Sequence, residues 1–499
     1  MRLPSHFALC LLLLLPCGAR ADEIGPDQAQ TLQQQLKGWV AGLLGPSVKL
    51  PDLPWQITGE RDHYLITWPI RGLQTPQGDL GITAILRPLD GGRWSIEDLK
   101  APPAGTFTMT LPEGPDSKGG PAKVGFSLGK QDNHGVIDPG LTAASNFHSE
   151  VGDVAVTTDS ANGHQEQHFD RYLVDTALKP ESDGRLDLTV DGTATGWRSA
   201  AQVNKGTPIA IGIDTMHAVG RIEGVNRERV AAVLAAAGNL VGALPADTLE
   251  KDGKAELTAP ARAQLRLIAT ALQDVFTAIS LEENLDGLKI EVAGMGGLSM
   301  KHFGLGFGGE APDGKLHIWF DIGLDGLDSP SLPPKIAAYL PRHIELRPSL
   351  SGIQTADLRK LALNATEKDA DVKELTPDLM AVFAHGGIDL AVETLAFDLG
   401  PAKVEGVAHI NVQSPGAWHG TAHLTATGLD DLTTQARGNP DLQQALPVLI
   451  MLRGLAKPEG DHLVWNIESD GPKMIVNGID LSQLGGDKQR KPPGQPSKR

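Results

Sequence analysis

From Lys315 to Asp325 apolar and polar residues alternate: Leu316, Ile318, Phe320, Ile322 and Leu324 share one face, and Lys315, His317, Asp321 and Asp325 share the other. A period of two sends successive side chains to opposite sides of a strand, and a strand that is apolar on one side belongs to an antiparallel sheet with one covered face. Asp313-Gly314 stands just before this strand, and glycine tolerates the positive φ that a two-residue turn demands. The same plan recurs in "ESDGRLDLTVDGTATGW" (181–197), "APDGKLHIWFDIGLDGL" (311–327) and "WNIESDGPKMIVNGIDLSQL" (465–484), and in shorter form in "LDGGRWSIEDL" (89–99). "SPGAWHGTAHLTATGLDDL" (414–432) keeps the strand and its ending but has Pro-Gly at the turn. Turn, alternating strand and turn repeated in this way predict antiparallel meanders.

Helical periodicity interrupts the meander. Between Arg262 and Glu283, the residues Leu265, Ile268, Leu272, Val275, Phe276 and Ile279 recur at helical spacing and predict one amphipathic helix. Asn226 to Leu244 predicts a second, apolar over most of its circumference. In "TPDLMAVFAHGG", Thr376 reads as cap, Pro377 as first helical residue and Gly386 as stop, while Asn439-Pro440 opens another helix that Pro447 should end or kink. The expected fold class is therefore α+β: β-rich antiparallel meanders of Asp-Gly hairpins forming curved sheets, with amphipathic helices covering part of the apolar face. The expected divisions are a signal peptide (1–21), an N-terminal β-rich domain (22–205), a mainly helical segment (206–286), a C-terminal α+β domain (287–484) and a disordered basic tail (485–499). Leu111 to Lys123 reads as a surface loop.

The ends add a location. Arg2, the apolar run Phe7 to Leu15 and the small-residue site Ala19-Arg20-Ala21 match a secretory leader, with cleavage between Ala21 and Asp22. Leu14-Leu15-Pro16-Cys17 resembles a lipoprotein box, except that proline precedes the cysteine. Cys10 and Cys17 both lie in this leader, so stability must come from a core and not from disulfides. No later apolar run reaches the length of a membrane span. These features predict an exported, periplasmic protein. The formal net charge of -17 argues against binding nucleic acid through phosphate neutralisation. The basic stretch "GGDKQRKPPGQPSKR" is the local exception; it fits a solvated terminus or peripheral contact with anionic lipid heads.

Three stretches carry letters that chemistry uses elsewhere. Gly125-Phe126-Ser127-Leu128-Gly129 matches the hydrolase elbow, which would make Ser127 a nucleophile, but the following "KQDNHGVIDPG" cannot start the helix that the elbow requires. Gly304 to Gly309 spells the dinucleotide fingerprint without a helix to hold a pyrophosphate; the alternative is a strand with Phe303, Leu305 and Phe307 on one face and glycines on the other, where a helix or a lipid chain approaches closely. In "HQEQHFD", His164, Glu166, His168 and Asp170 would project from one face of a strand at intervals suited to metal ligation; the same letters fit a solvated hairpin. No catalytic residue, cofactor site or cofactor is assigned.

The repeated plan resembles the uncharacterised envelope proteins of Gram-negative bacteria related to the AsmA-like group. The similarity rests on the leader, "GKLHIWFDIGLDGL", "TAHLTATGLDDL" and the terminal "SDGPKMIVNGIDL", and covers the C-terminal third of the chain best. It implies a role in moving or organising phospholipid between the two membranes, and carries no catalytic residues. AsmA-like proteins usually keep an N-terminal membrane anchor, from which the short leader here departs. The expected function is that of a non-enzymatic periplasmic protein binding a lipid or an envelope protein on a one-sided sheet. Two alternatives stay open: a secreted hydrolase or metal-dependent enzyme, and a structural or assembly protein of the envelope.

Overall fold

The computed structural model describes residues 29–30, 32–33, 56–69, 74–75, 81–90, 93–111, 119–138, 143–161, 163–203, 207–243, 258–271, 274–366, 372–384, 386–414, 416–438 and 444–483. Over these residues the chain forms one large, curved, open antiparallel sheet with helices inserted at its connections. The expected leader, the Ala21-Asp22 site, the basic tail and Asn439-Pro440 lie outside the described residues.

The first strands are short: β1 (Gln56–Glu60), β2 (His63–Pro69), β3 (Gly81–Pro88), β4 (Trp94–Lys100), β5 (Ala104–Leu111), β6 (Gly120–Ser127) and β7 (Gln131–Asp138). β1 to β4 pair in order and β4 pairs β7. β7 and β6 then lie along one side of β8 (Ala143–Ser160), with β5 beyond β6. From there each strand pairs with the next: β9 (Gly163–Pro180), β10 (Leu186–Val203), β11 (Ile209–Val225), β12 (Ala278–Val292), β13 (Gly296–Glu310), β14 (Lys315–Asp325), β15 (His343–Gln354), β16 (Ile388–Asp398), β17 (Lys403–Ser414) and β18 (Ala417–Thr427). β18 pairs β20 (His462–Asp470), whose far side carries β19 (Lys457–Glu459) and β21 (Lys473–Val476), and β22 (Ile479–Asp480) follows β21.

The helices occupy the gaps: α1 (Arg227–Ala243) and α2 (Ala259–Ala271) between β11 and β12, α3 (Pro334–Ala337) before β15, α4 (Thr355–Ala365) and α5 (Val372–Ala384) between β15 and β16, and α6 (Leu429–Gly438) and α7 (Leu446–Leu455) between β18 and β20. Three apolar clusters result. Ala29 and Leu32 pack with Tyr64, Ile66 and Leu86; Val230 of α1 packs near Leu178, Leu186 and Val225; and Leu429, Leu432, Leu449 and Leu455 of α6 and α7 cover Ala426, Leu463 and Trp465.

One register line crosses the long strands. Asp153 (φ 50), Gly196 (φ 64) and Gly287 (φ 68) take left-handed backbone in β8, β10 and β12. By the register on either side, they face Asp170, Asp214 and Lys301 on β9, β11 and β13. The hydrophobic pattern steps at the same line. In β9, Asp170 and Arg171 separate Phe169 from Tyr172; in β10, Thr195 and Gly196 separate Ala194 from Trp197; in β11, Asp214 and Thr215 separate Ile213 from Met216. Residues three apart on a regular strand point to opposite sides, so the irregular line resets the alternation and lets apolar rows on both sides of it face the same way.

At the C-terminal end Gly471 (φ 54) turns β20 into β21, and Asn477 (φ 47) with Gly478 (φ 86) turns β21 into β22. Asn477 Nδ2 donates to Leu455 O at 2.9 Å and Val464 O at 2.7 Å, and Oδ1 accepts from Asn466 N at 2.9 Å. The Trp465 indole donates to Leu452 O at 2.9 Å. These bonds tie the end of α7 to the final strands.

Several expectations need correction. The helix expected over Arg262 to Glu283 spans Ala259–Ala271 only, and Ile279 lies in β12, because Ala278 onward alternates and pairs both β11 and β13. Pairing on two sides overrides a helical period of modest length. Pro377 lies inside α5 and does not start it, and Pro447, expected to end or kink a helix opened at Asn439-Pro440, stands in the first turn of α7, where its missing N–H has no acceptor to lose. Gly120 to Lys123, expected in a loop, belong to β6. The helices α4 and α6 were not among the expected elements.

The carboxylate of Asp170 occupies the space that a side chain on Gly196 would need. Gly196→Ala should therefore cost about 1–3 kcal/mol, from left-handed strain and collision together. Gly184→Ala, at φ 86 but facing open space, should cost about 1 kcal/mol. Urea denaturation of both variants checks the difference; equal costs would mean that the Asp170 contact is soft.

Candidate functional site

The register converts the strand pattern into rows that run across the sheet. One row reads Tyr172, Ala194, Met216, Leu285, Phe303, Leu324, Ile344, Phe397, Val404, Ala426 and Leu463 from β9 to β20. Two residues further along each strand comes Val174, Gly192, Ala218, Glu283, Leu305, Ile322, Leu346, Leu395, Gly406, Leu424 and Trp465. Between them, on the opposite side, Thr193, His217, Asn284, Glu345, Glu405 and Thr425 run together with Leu173, Gly304, Gly323, Ala396 and Val464, a row mostly of polar and small residues. The sheet thus has one apolar face, and at about 4.8 Å per strand that face extends for roughly 50 Å.

Helices cover its margins. β11 and β15 run in the same direction, so the α1–α2 and α4–α5 insertions leave the same edge of the sheet; α2 meets α4 there, and α5 touches β15 and β17. The last strands lie beneath α6 and α7. Between these covers the face is open: Leu305 is 43% exposed, Phe320 47%, Leu390 40% and Ile410 37%. Phe307 and Phe320 meet on this side with ring centroids 5.2 Å apart and planes tilted by 47°. Towards β9 the face holds a small cavity of about 80 Å³, lined by Tyr172, Val174, Val190, Ala194, Met216, Ala218 and Glu283 among others.

The opposite face is mainly polar and carries a line of ion pairs. Asp286 and His302 are 2.7 Å apart, Asp325 and His343 2.6 Å, and Asp398 and Lys403 3.3 Å, in one line across β12 to β17. Burial works to raise the Asp398 pKa, but the Gly400 N–H and the Lys403 ammonium together hold it below the ordinary carboxylate value.

Of the residues singled out in the sequence, Ser127 and the strand from His164 to Asp170 fall outside the open apolar region, whereas Phe303, Leu305 and Phe307 share its face as the alternating strand predicts. Ser127 ends β6, paired to Ala104 and Ala155, on a wall of an open recess of about 500 Å³. Its strand runs on towards β7 with no helix, and among the described residues no histidine or carboxylate bonds its hydroxyl. The elbow geometry is therefore not formed. Gly304 to Gly309 lie inside β13. Gly306 and Gly308 lie against side chains of β14, with the Trp319 indole over Gly308 and Asp321 Cβ 2.8 Å from where a Gly306 side chain would begin, while Gly304 lies nearest Asn284 of β12. Those cross-strand side chains replace the helix or lipid chain expected against these glycines.

His164, Glu166, His168 and Asp170 do share one side of β9. His164 Nδ1 lies 2.7 Å from Asp159 and Nε2 3.0 Å from Glu166, while His168 Nε2 lies 3.0 Å from Asp170. The two histidines thus take separate partners. Among the described residues no three His, Cys, Asp or Glu side chains gather into a metal-sized group. Glu166 and His168 also line a recess of about 760 Å³ with Trp197, Arg198 and Lys289.

A neutral imidazole donates from one nitrogen only, whereas its protonated form satisfies two carboxylates. The hydrogen bonds to Glu166 and then Asp159 accordingly raise the His164 pKa above the ordinary value. With the folded pKa raised, the stabilisation is complete below the unfolded value and is lost as pH rises through the folded one. An NMR titration of His164 should show an elevated midpoint that returns to the ordinary range in the Asp159→Asn, Glu166→Gln double variant. A midpoint unchanged by the double variant would refute that origin.

The signal that exposes the open face was present in the sequence, as the recurrent period of two, but its extent depended on the unrecognised β11 and β12 and on the step at Gly196 and Gly287. Comparison with protein-family models, curated proteins and solved structures gives no match for this chain.

Proposed function

We propose that this chain is a non-enzymatic periplasmic protein that holds an amphipathic molecule, a lipid, on the open apolar face of its sheet. The observation that carries the proposal is the uncovered middle of that face, where Leu305, Phe320, Leu390 and Ile410 meet solvent between helices that cover only its margins. Burying one such side chain fully is worth about 1.5–3 kcal/mol, so an extended hydrocarbon crossing several strands gains enough for stable binding. A contiguous apolar patch of this kind marks an interaction site more often than an idle surface. The resemblance to AsmA-like envelope proteins and the leader-like Met1 to Ala21 support the same reading, including export and the periplasmic location. The Asp-Gly turns at 183–184, 313–314 and 470–471 fit the proposal as its construction unit, each returning a strand so that one more apolar row position joins the face.

Organic-solvent extraction of protein purified without detergent, followed by mass spectrometry, tests the reading. Lipid should be recovered at about one molecule or more per chain. The Leu305→Asp, Phe320→Asp double variant should retain its far-ultraviolet circular dichroism and lose most of that lipid, about tenfold. Repeated extractions that yield none from the unaltered chain would overturn the proposal.

A further inference from the structure

The apolar rows between β9 and β20 contain one charged side chain among the described residues, Glu283. It stands on β12 between Leu285 and Leu281, and its cross-strand neighbours are Ala218 and Leu305. Glu282 and Asn284, on either side in sequence, point to the polar face. Glu283 is half-buried and lines the small cavity with Tyr172, Val174, Met216 and Ala218. Among the described residues no hydrogen-bond or ionic partner engages Glu283. A second polar group beside the cavity is also unpartnered. Thr176 is 7% exposed, its Oγ1 has no hydrogen-bond partner among the described residues, and its cross-strand neighbour Val190 lines the same cavity.

We infer that Glu283 makes the apolar face selective for amphiphiles bearing an ammonium head, an inference that rests on the lipid-binding reading. A hydrocarbon chain laid over a lone carboxylate strips its water and returns nothing, which disfavours ligands that are apolar or anionic at this point. An ammonium group brings the opposite charge and three N–H donors, and a charge-assisted hydrogen bond in a partly dry site is stronger than one in water. The unpartnered Thr176 hydroxyl adds a donor and an acceptor for an uncharged oxygen of the same ligand. Selection in this scheme works by the mismatch left with the wrong head as much as by the bond formed with the right one.

Displacement of an apolar fluorescent probe from the full chain by dodecylammonium, dodecanoate and dodecanol tests the inference, each kept below its micelle concentration. The unaltered chain should bind dodecylammonium at least about tenfold more tightly than dodecanoate. Because the whole chain is acidic, the comparison that decides is between Glu283→Gln and Glu282→Gln, which change the net charge equally. Glu283→Gln should abolish most of the preference and Glu282→Gln should leave it. A preference that survives Glu283→Gln, or equal binding of both charged ligands by the unaltered chain, overturns the role of Glu283 while leaving lipid binding standing. Failure of all three ligands to displace the probe would remove the underlying reading and this inference with it.

Discussion

Everything in this molecule depends on backbone pairing that stays in register from strand to strand. Each long strand meets its neighbours residue by residue, so the side on which one side chain projects fixes the side for its partner across the whole row. A slip of one residue in any strand would move its apolar set to the polar face. Pairing therefore does more than satisfy backbone donors and acceptors: it aligns Tyr172, Met216, Phe303 and Phe397, which are far apart in sequence, into one continuous surface.

Strands of 17 or 18 residues cannot keep a strict alternation on a sheet that bends. The left-handed residues Asp153, Gly196 and Gly287 absorb the bend at one line, on every second strand, and the intervening strands answer with Asp170, Asp214 and Lys301. Glycine is required where the opposing carboxylate fills the place of a side chain. Asp153 shows that an aspartate can hold the same backbone, consistent with the tolerance of Asp and Asn for this region.

The period of two was legible in the sequence, and so were the α1 helix and the general balance of strands and helices. What was not legible has physical causes. Ile279 satisfied a helical spacing and a strand spacing together, and only its partners Ile222 and Gly309 decide between them. Pro447 is a breaker in a helix interior and a good residue in a first turn, and the sequence alone does not say which turn it occupies. Ser127 and the glycines of β13 matched motifs by letters, whereas the chemistry of those motifs resides in a following helix that is not formed. Glu283 gave no signal at all, since a single glutamate among many acquires meaning only from the row in which it stands.

The C-terminal lock has a consequence for how such a sheet comes apart. Because each strand contacts little beyond its two neighbours, the molecule behaves as a nearly one-dimensional array, and such arrays melt from their ends. The two ends are unequal. At one, the strand pairing that holds β1 among the described residues is five positions with β2, beside the packing of Ile57 on the first apolar cluster. At the other, Asn477 ties two carbonyls and one amide across α7 and β20, so three bonds must break before the final strands can peel away. The asymmetry gives the array a polarity: fraying enters at the β1 side and travels towards a stopper.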